Sequence, residues 1–228
     1  MNKKDLCVVT GHNQINDVTE LGVKTIKRWA KSKGYGFESF MGDRFYFSKN
    51  EIDKGMFFAR YRYVAEMVSV GYERVLWLDT DVIPEPYKKC KDNPLEKYKW
   101  ADLMIAPDIN GFVNTGVMLW GQGGRRVLDE VCRLAFNEKE ATMQDKYGGR
   151  GSLDATEPNV LIELLKENYD DILQRTKFIS ASIFNAQPQW EHFGAPTDSR
   201  FSAGERPLFL HLAGVSDADR LLLLRQLT

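Results

Sequence analysis

The sequence predicts an α/β fold, a sheet with helices packed on its faces. Three observations carry that prediction. Strand and helix signals alternate along the chain. The 228 residues, 43% hydrophobic and 28% charged, suit one large α/β domain with a sizeable core, and we read 1–228 as that single domain. A short apolar run, Val75-Leu76-Trp77-Leu78, ends in two carboxylates, Asp79 and Asp81. In open α/β sheets, ligands bind beyond the carboxyl ends of the strands.

The elements follow in order. Leu6 to Thr10 reads as a short strand, and Gly11, His12 and Asn13 as the loop after it. Val18, Leu21, Thr25, Ile26 and Trp29 share one helical face, and Gly34 stops that helix. Phe37 to Met41 is a second strand. Phe57, Phe58, Tyr61, Val64, Met67 and Val68 mark another helix, closed by Gly71. Val75 to Leu78 is a buried strand. Asp102 to Ala106 and Val113 to Leu119 are two more. Val127, Leu128, Val131, Cys132 and Leu134 give a helix. The segment from Gln144 to Leu153 has four glycines and reads as a mobile loop. Val160 to Leu165 is helical, with Pro158 near its first turn. Leu208 to Leu212 is a late strand, and Ser216 with Asp219 caps a final helix.

Composition excludes several classes. Lys plus Arg number 31 and Asp plus Glu 32, a net charge of −1, so no basic field invites nucleic acid. The cysteines Cys7, Cys90 and Cys132 form neither a disulfide framework nor a zinc pattern, which points to a reducing compartment. No apolar run approaches the roughly 18 residues of a membrane span. Two N-terminal lysines lead into Asp5 and a short strand rather than a signal core. The expectation is a cytoplasmic protein with no transmembrane segment.

The acidic pair is the sharpest local signal. Two carboxylates one residue apart repel each other and settle around a hard divalent cation, Mn²⁺ or Mg²⁺. With a turn at Thr80 both can face one ion, one directly and the other through a water or sugar hydroxyl. The plainer reading is a solvated turn helped by Pro84 and Pro86, but the buried run before it favours a site. Two enzyme classes use such a strand end. Aspartyl-phosphate phosphatases place it near the N-terminus with a second acidic pair later, whereas Asp170-Asp171 sits in a polar helix-end context here. In nucleotide-sugar transferases the pair holds a metal against a diphosphate, and here a strand–helix–strand–helix region precedes it, which favours the transferase reading. A noncatalytic carbohydrate-binding module is a further alternative. A sugar nucleotidyltransferase would need a glycine-rich loop that Thr10-Gly11-His12-Asn13-Gln14 does not supply.

Five segments in order resemble a GT-A glycosyltransferase, in particular the galactosyl/mannosyltransferase family that includes plant xyloglucan xylosyltransferases. They are Lys54-Gly55-Met56-Phe57-Phe58-Ala59-Arg60, Trp77-Leu78-Asp79-Thr80-Asp81, Asp108-Ile109-Asn110-Gly111-Phe112-Val113-Asn114-Thr115-Gly116-Val117, Phe184-Asn185-Ala186-Gln187-Pro188 and Phe209-Leu210-His211-Leu212-Ala213-Gly214. The resemblance implies a mixed, Rossmann-like sheet flanked by helices. It also implies a metal-dependent enzyme that moves a hexose-type sugar from a nucleotide-sugar donor, UDP-linked by family habit, to a carbohydrate or glycoprotein-glycan hydroxyl. Departures fall at Gly204-Glu205-Arg206-Pro207 and at Asp154…Glu157-Pro158-Asn159, and the usual membrane anchor is missing.

Roles follow from the same resemblance. Asp79 and Asp81 supply two metal ligands and His211 the third; a His on such a strand is otherwise a packed core residue. Gly214 then allows close backbone approach to phosphate. Thr10, Gly11 and His12 meet the base and ribose, or form a plain turn. Lys54 and Arg60, six residues apart on a helix, contact the donor or lie on a solvated face. Asp79 and Thr80 belong to the donor site. Asn114, Thr115 and Gly116 cradle sugar hydroxyls, with Asp108 and Asn110 lining the cleft. Asp108, Asp154 and Glu157 are the catalytic candidates. A carboxylate there serves as general base, or attacks or steadies an oxocarbenium-like transition state. Asp154 and Glu157 equally suit a helix N-terminus. Trp190, His192 and Phe193 form either an aromatic acceptor platform or a satellite cluster.

Overall fold

The computed structural model describes residues 5–12, 15–41, 52–86, 93–107, 113–136, 157–186, 207–213 and 215–227. Eight strands are present among them: β1 (Leu6–His12), β2 (Gly36–Met41), β3 (Arg74–Leu78), β4 (Val82–Pro84), β5 (Leu103–Pro107), β6 (Val113–Gly121), β7 (Thr176–Phe178) and β8 (Phe209–His211). The helices are α1 (Asp17–Ser32), α2 (Ile52–Ser69), α3 (Pro94–Lys97), α4 (Arg125–Phe136), α5 (Glu157–Lys166), α6 (Ala181–Phe184) and α7 (Asp217–Leu227).

Six strands form one mixed sheet in the order β2-β1-β3-β6-β5-β7. β1 runs parallel to β2 and β3, β6 runs antiparallel to β3 and β5, and β7 runs parallel to β5. β4 and β8 form a separate antiparallel pair, with Val82 opposite His211.

Period-two alternation divides the core. Cys7, Val9, Val75, Trp77, Ile105, Met118 and Trp120 face one side, against Tyr61 and Val64 of α2, Leu128 of α4 and Leu161 of α5. Leu6, Val8, Leu76, Leu78, Met104 and Leu119 face the other, against Ile26 and Trp29 of α1 and Phe209 of β8. Each fully buried side chain of this size contributes roughly 1.5–3 kcal/mol. A third cluster holds the small sheet to the rest: Val18 of α1, Ile83, Leu210, Leu212 and Leu224 of α7.

Local chemistry sets the element ends. Asn16 caps α1 by accepting from the Thr19 N–H, while the Thr19 hydroxyl accepts from the Asn16 N–H. Gly34 (φ 74°) and Gly71 (φ 104°) turn the chain in the left-handed region after α1 and α2. Ser216 accepts from the Asp219 N–H at the start of α7, as its spacing predicts.

The structure corrects one reading. Gly11 and His12 are not in a loop; they end β1, opposite Phe40 and Met41 of the neighbouring strand. The apolar signal stops at Thr10, but backbone pairing with β2 carries the strand two residues further. Asp170 and Asp171 sit inside a 3-10 segment, 169–175, with φ of 51° and 55°. Asp170 there accepts from Arg175 and Arg126. The readings for the loop from Gln144 to Leu153 lie outside the described residues.

Candidate metal centre at the end of the central strand

β3 delivers Asp79 to the carboxyl end of the sheet. The Asp79 N–H donates to the Gly116 carbonyl at 2.8 Å, extending the pairing with β6 by one residue. The Val82 N–H donates to the Asp79 carbonyl at 3.0 Å, closing a turn through Thr80 and Asp81. β4 leaves that turn and β8 returns beside it. The Leu212 N–H donates to the Asp81 carbonyl at 2.9 Å, which brings His211 back to the aspartates.

Asp79, Asp81 and His211 thus converge, with one ligand atom from each within 4.8 Å of the others. His211 Nε2 lies 3.2 Å from Asp81 Oδ1 and 3.9 Å from Asp79 Oδ2. Its other ring nitrogen, Nδ1, is 2.9 Å from Asn185 Oδ1. An amide oxygen accepts only, so Nδ1 carries a proton, and the Nε2 lone pair of the neutral ring points at two carboxylates. Three acceptors facing one another need a proton or a cation between them. Two carboxylate oxygens and one imidazole nitrogen suit a divalent ion of the Mg²⁺ or Mn²⁺ type, and the residues therefore fit the metal that the fold implies.

The protonation states carry the same tension. Burial favours a neutral His211, but the facing Asp81 carboxylate, its hydrogen bond and Asp79 outweigh it and raise the ring's pKa. Burial likewise favours a neutral Asp81, and the His211 ring together with the Arg220 guanidinium outweighs it and lowers that pKa.

A frame of side chains surrounds the three. The Trp77 indole N–H donates to Asp79 Oδ1 at 2.7 Å. Arg60 of α2 is buried; its Nη1 lies 3.4 Å from Asp79 Oδ1 and donates to the Thr115 hydroxyl at 3.1 Å. Its guanidinium sits over the Trp77 ring, 5.8 Å from the centroid. On the other side, Arg220 of α7 places Nη2 3.4 Å from Asp81 Oδ2, and its Nε donates to the Leu212 carbonyl at 3.1 Å.

Two glycines admit these contacts. A Cβ at Gly116 would run into the His211 ring and come within 2.9 Å of Asp79 Oδ2. A Cβ at Gly22 of α1 would run into the Thr80 carbonyl, so α1 touches the turn between the aspartates through bare backbone.

The other sequence candidates distribute as follows. Thr10 is fully buried, and its hydroxyl has no hydrogen-bond partner among the described residues. Thr80 is buried in the turn. Asn114 Oδ1 accepts from the Gly116 N–H at 2.8 Å, and Thr115 holds Arg60. Lys54 and Glu157 lie on α2 and α5, but their side chains fall outside the described residues. So do Asp108, Asn110, Asp154, Trp190, His192, Phe193 and Gly214. Three residues escape a reading of site chemistry. Trp77 and Asn185 stand inside the quoted motifs, where position alone flags them. Arg220 has no local signal, because only the packing of α7 brings it to Asp81.

The fold, a mixed sheet flanked by helices, is GT-A-like and matches glycosyltransferases of known structure. No family model matches the chain, and no curated protein matches it. Among solved structures, the chain is similar to a glycosyltransferase involved in the glycosylation of the major capsid of PBCV-1, at 17% identity and a TM-score of 0.68, covering 97% of this chain and 99% of that one. It is also similar to the glycosyltransferase GlyE of Streptococcus pneumoniae TIGR4, at 17% identity and a TM-score of 0.51, covering 92% of this chain and 54% of that one. Among the described residues no helix is long and apolar enough to cross a membrane.

Proposed function

We propose that the chain is a metal-dependent glycosyltransferase that moves a hexose-type sugar from a nucleotide-sugar donor, UDP-linked, to a glycan hydroxyl. One observation carries the reading: Asp79, Asp81 and His211 meet at the carboxyl end of a central strand of a glycosyltransferase-like fold. A bound Mn²⁺ or Mg²⁺ would neutralise the negative charge that grows on a departing diphosphate.

The chain's own residues do the rest. Trp77 and Arg60 fix the Asp79 carboxylate, so its orientation is set before donor arrives. Arg60 adds a permanent positive charge beside a site built for an anionic donor. Asn185 fixes the His211 tautomer, which keeps Nε2 free to bind a cation. In this reading Thr10, Gly11, His12, Lys54, Thr80, Asn114, Thr115, Gly116 and Gly214 line the donor site. Asp108, Asp154 and Glu157 are the carboxylates assigned to the reacting centre. One structural neighbour is described as involved in glycosylation of a viral major capsid, and that likeness extends the proposal to glycoprotein-glycan acceptors.

A thermal-shift panel of nucleotide sugars with and without Mn²⁺ tests the proposal. Stabilisation by one UDP-sugar only when metal is present supports it. Absence of any metal-linked shift across the panel sinks it.

A further inference from the structure

Arg220 touches both chain segments that carry metal-site ligands. Its Nη2 lies 3.4 Å from Asp81 Oδ2, and its Nε donates to the carbonyl of Leu212, the residue after His211, at 3.1 Å. Asp81 immediately precedes β4 and His211 closes β8, and Val82 pairs with His211, so the two ligands sit at the same end of an antiparallel two-stranded sheet only three residues long. Backbone pairing this short holds register weakly. The fork of Arg220 joins the two strands again at the end where the ligands sit. Its geometry suits that role: a planar guanidinium holds its donors in a rigid fork aimed at separate acceptors, whereas an ammonium is a compact point charge whose three donors rotate.

The rest of α7 delivers this side chain. Leu224 is buried and, with Leu221 and Leu223, packs in the cluster with Val18 of α1, Ile83 of β4 and Leu210 of β8. Ser216 and Asp219 fix the start of the helix one turn before Arg220. Packing of α7 against β4 and β8 thus places Arg220 beside the candidate metal ligands.

We propose that Arg220 is a positioning residue for the Asp79–Asp81–His211 centre: it holds Asp81 and the His211 strand in the arrangement that binds a divalent cation, and so makes metal affinity depend on a docked C-terminal helix. The inference rests on the metal-dependent reading above. Two opposing effects attend loss of the guanidinium. Removing a positive charge near a cation tightens binding, and removing an outer partner of the ligands weakens it. Outer partners of metal ligands typically contribute 10–100-fold in affinity. Arg220 is about one-quarter exposed, so solvent screens its repulsion of the ion, and the positioning effect dominates.

The test is Mn²⁺ binding by the full chain without any nucleotide, read as free Mn²⁺ by electron paramagnetic resonance, together with metal-free thermal unfolding. Wild type binding Mn²⁺, with Arg220→Met binding at least about tenfold more weakly, supports the inference. Arg220→Lys keeps the charge but loses the fork, and its expected affinity lies between the two. Asp217→Asn removes the exposed partner of Arg220 on its own helix and leaves Mn²⁺ affinity at the wild-type value. Arg220→Met or Arg220→Lys binding Mn²⁺ as tightly as wild type, or more tightly, overturns the inference and leaves the metal-dependent reading standing. Wild type that binds no Mn²⁺ overturns both. If Arg220→Met does not fold, the Arg220→Lys affinity decides.

Discussion

Gly116 lies directly against the His211 imidazole, with no room for a side chain between the β6 backbone and the ring. A Cβ there would meet the ring and an oxygen of Asp79 together. The ring is held from behind by Asn185 and cannot retreat without losing that hydrogen bond. We expect Gly116→Ala to fold, because the strand conformation tolerates alanine, and to lose metal affinity by about 10–100-fold. Mn²⁺ titration of the variant is the check. Wild-type affinity would show that the ring has slack that this packing does not suggest.

The ligands themselves give a sharper contrast. Asp81→Asn removes a charge from the metal set, as does Asp79→Asn. Each is expected to abolish Mn²⁺-dependent stabilisation and to cut sugar transfer by two orders of magnitude or more. Metal-free stability separates the two. Asp81→Asn leaves His211 without its main carboxylate partner, whereas Asp79→Asn leaves that pair intact. Thermal unfolding in EDTA is expected to rank Asp81→Asn below Asp79→Asn.

Gly22→Ala tests the contact between α1 and the aspartate turn. In an ordinary helix interior this substitution stabilises by about 1 kcal/mol. Here the added methyl meets the Thr80 carbonyl, which is backbone and cannot rotate away. The expected sign reverses, to a loss of about 1–3 kcal/mol. Urea denaturation measures it, and a stabilised variant would refute the close approach.

The pH dependence of the metal-free protein follows from the Asp81–His211 pair. Asp81 has its pKa lowered in the fold, so its contribution is present above the ordinary value of 3.8 and is lost as pH falls through the lowered one. His211 has its pKa raised, so its contribution is complete below 6.5 and is lost as pH rises through the raised one. The pair therefore adds most between about pH 4 and 6.5. In the proposed reading a divalent cation would take the place of the proton on Nε2, so metal is expected to stabilise the protein more at high pH than at pH 5. Unfolding temperature against pH, with Mn²⁺ and with EDTA, shows whether the two curves diverge upward. Parallel curves would mean that His211 is not a ligand.

Asn185→Leu removes the acceptor that fixes the His211 tautomer while keeping a side chain of similar size. The His211 Nδ1 proton is then left without its partner, and the ring is free to carry its proton on Nε2 instead. We expect about tenfold weaker Mn²⁺ binding, relieved in part by raising the pH. An Mn²⁺ affinity equal to wild type at every pH would remove Asn185 from the site.

Much of this architecture is legible locally. Cys7, Val9, Val75 and Trp77 alternate with Leu6, Val8, Leu76 and Leu78, so period two alone identifies β1 and β3. Gly34 and Gly71 mark the ends of α1 and α2 because only a residue without Cβ turns there at low cost. The short elements β4, β7, α3 and α6 are too brief for a period to emerge. β4 in particular reads as a turn, since Pro84 and Pro86 hide three buried residues.

The part given to His211 came from the family resemblance; the residue pattern by itself determined the alternating fold and the strand that ends in Asp79 and Asp81. Those are properties of contiguous residues, set by periodicity and by mutual repulsion of neighbouring carboxylates. Only the tertiary structure decided which groups surround them. Trp77, Arg60, Asn185 and Arg220 come from four different elements, and a contact between residues 139 apart, Asp81 and Arg220, leaves no trace in local pattern. It exists because the leucines of α7 bury themselves against β4 and β8, and that burial carries a guanidinium to the one place where it can hold both ligand segments.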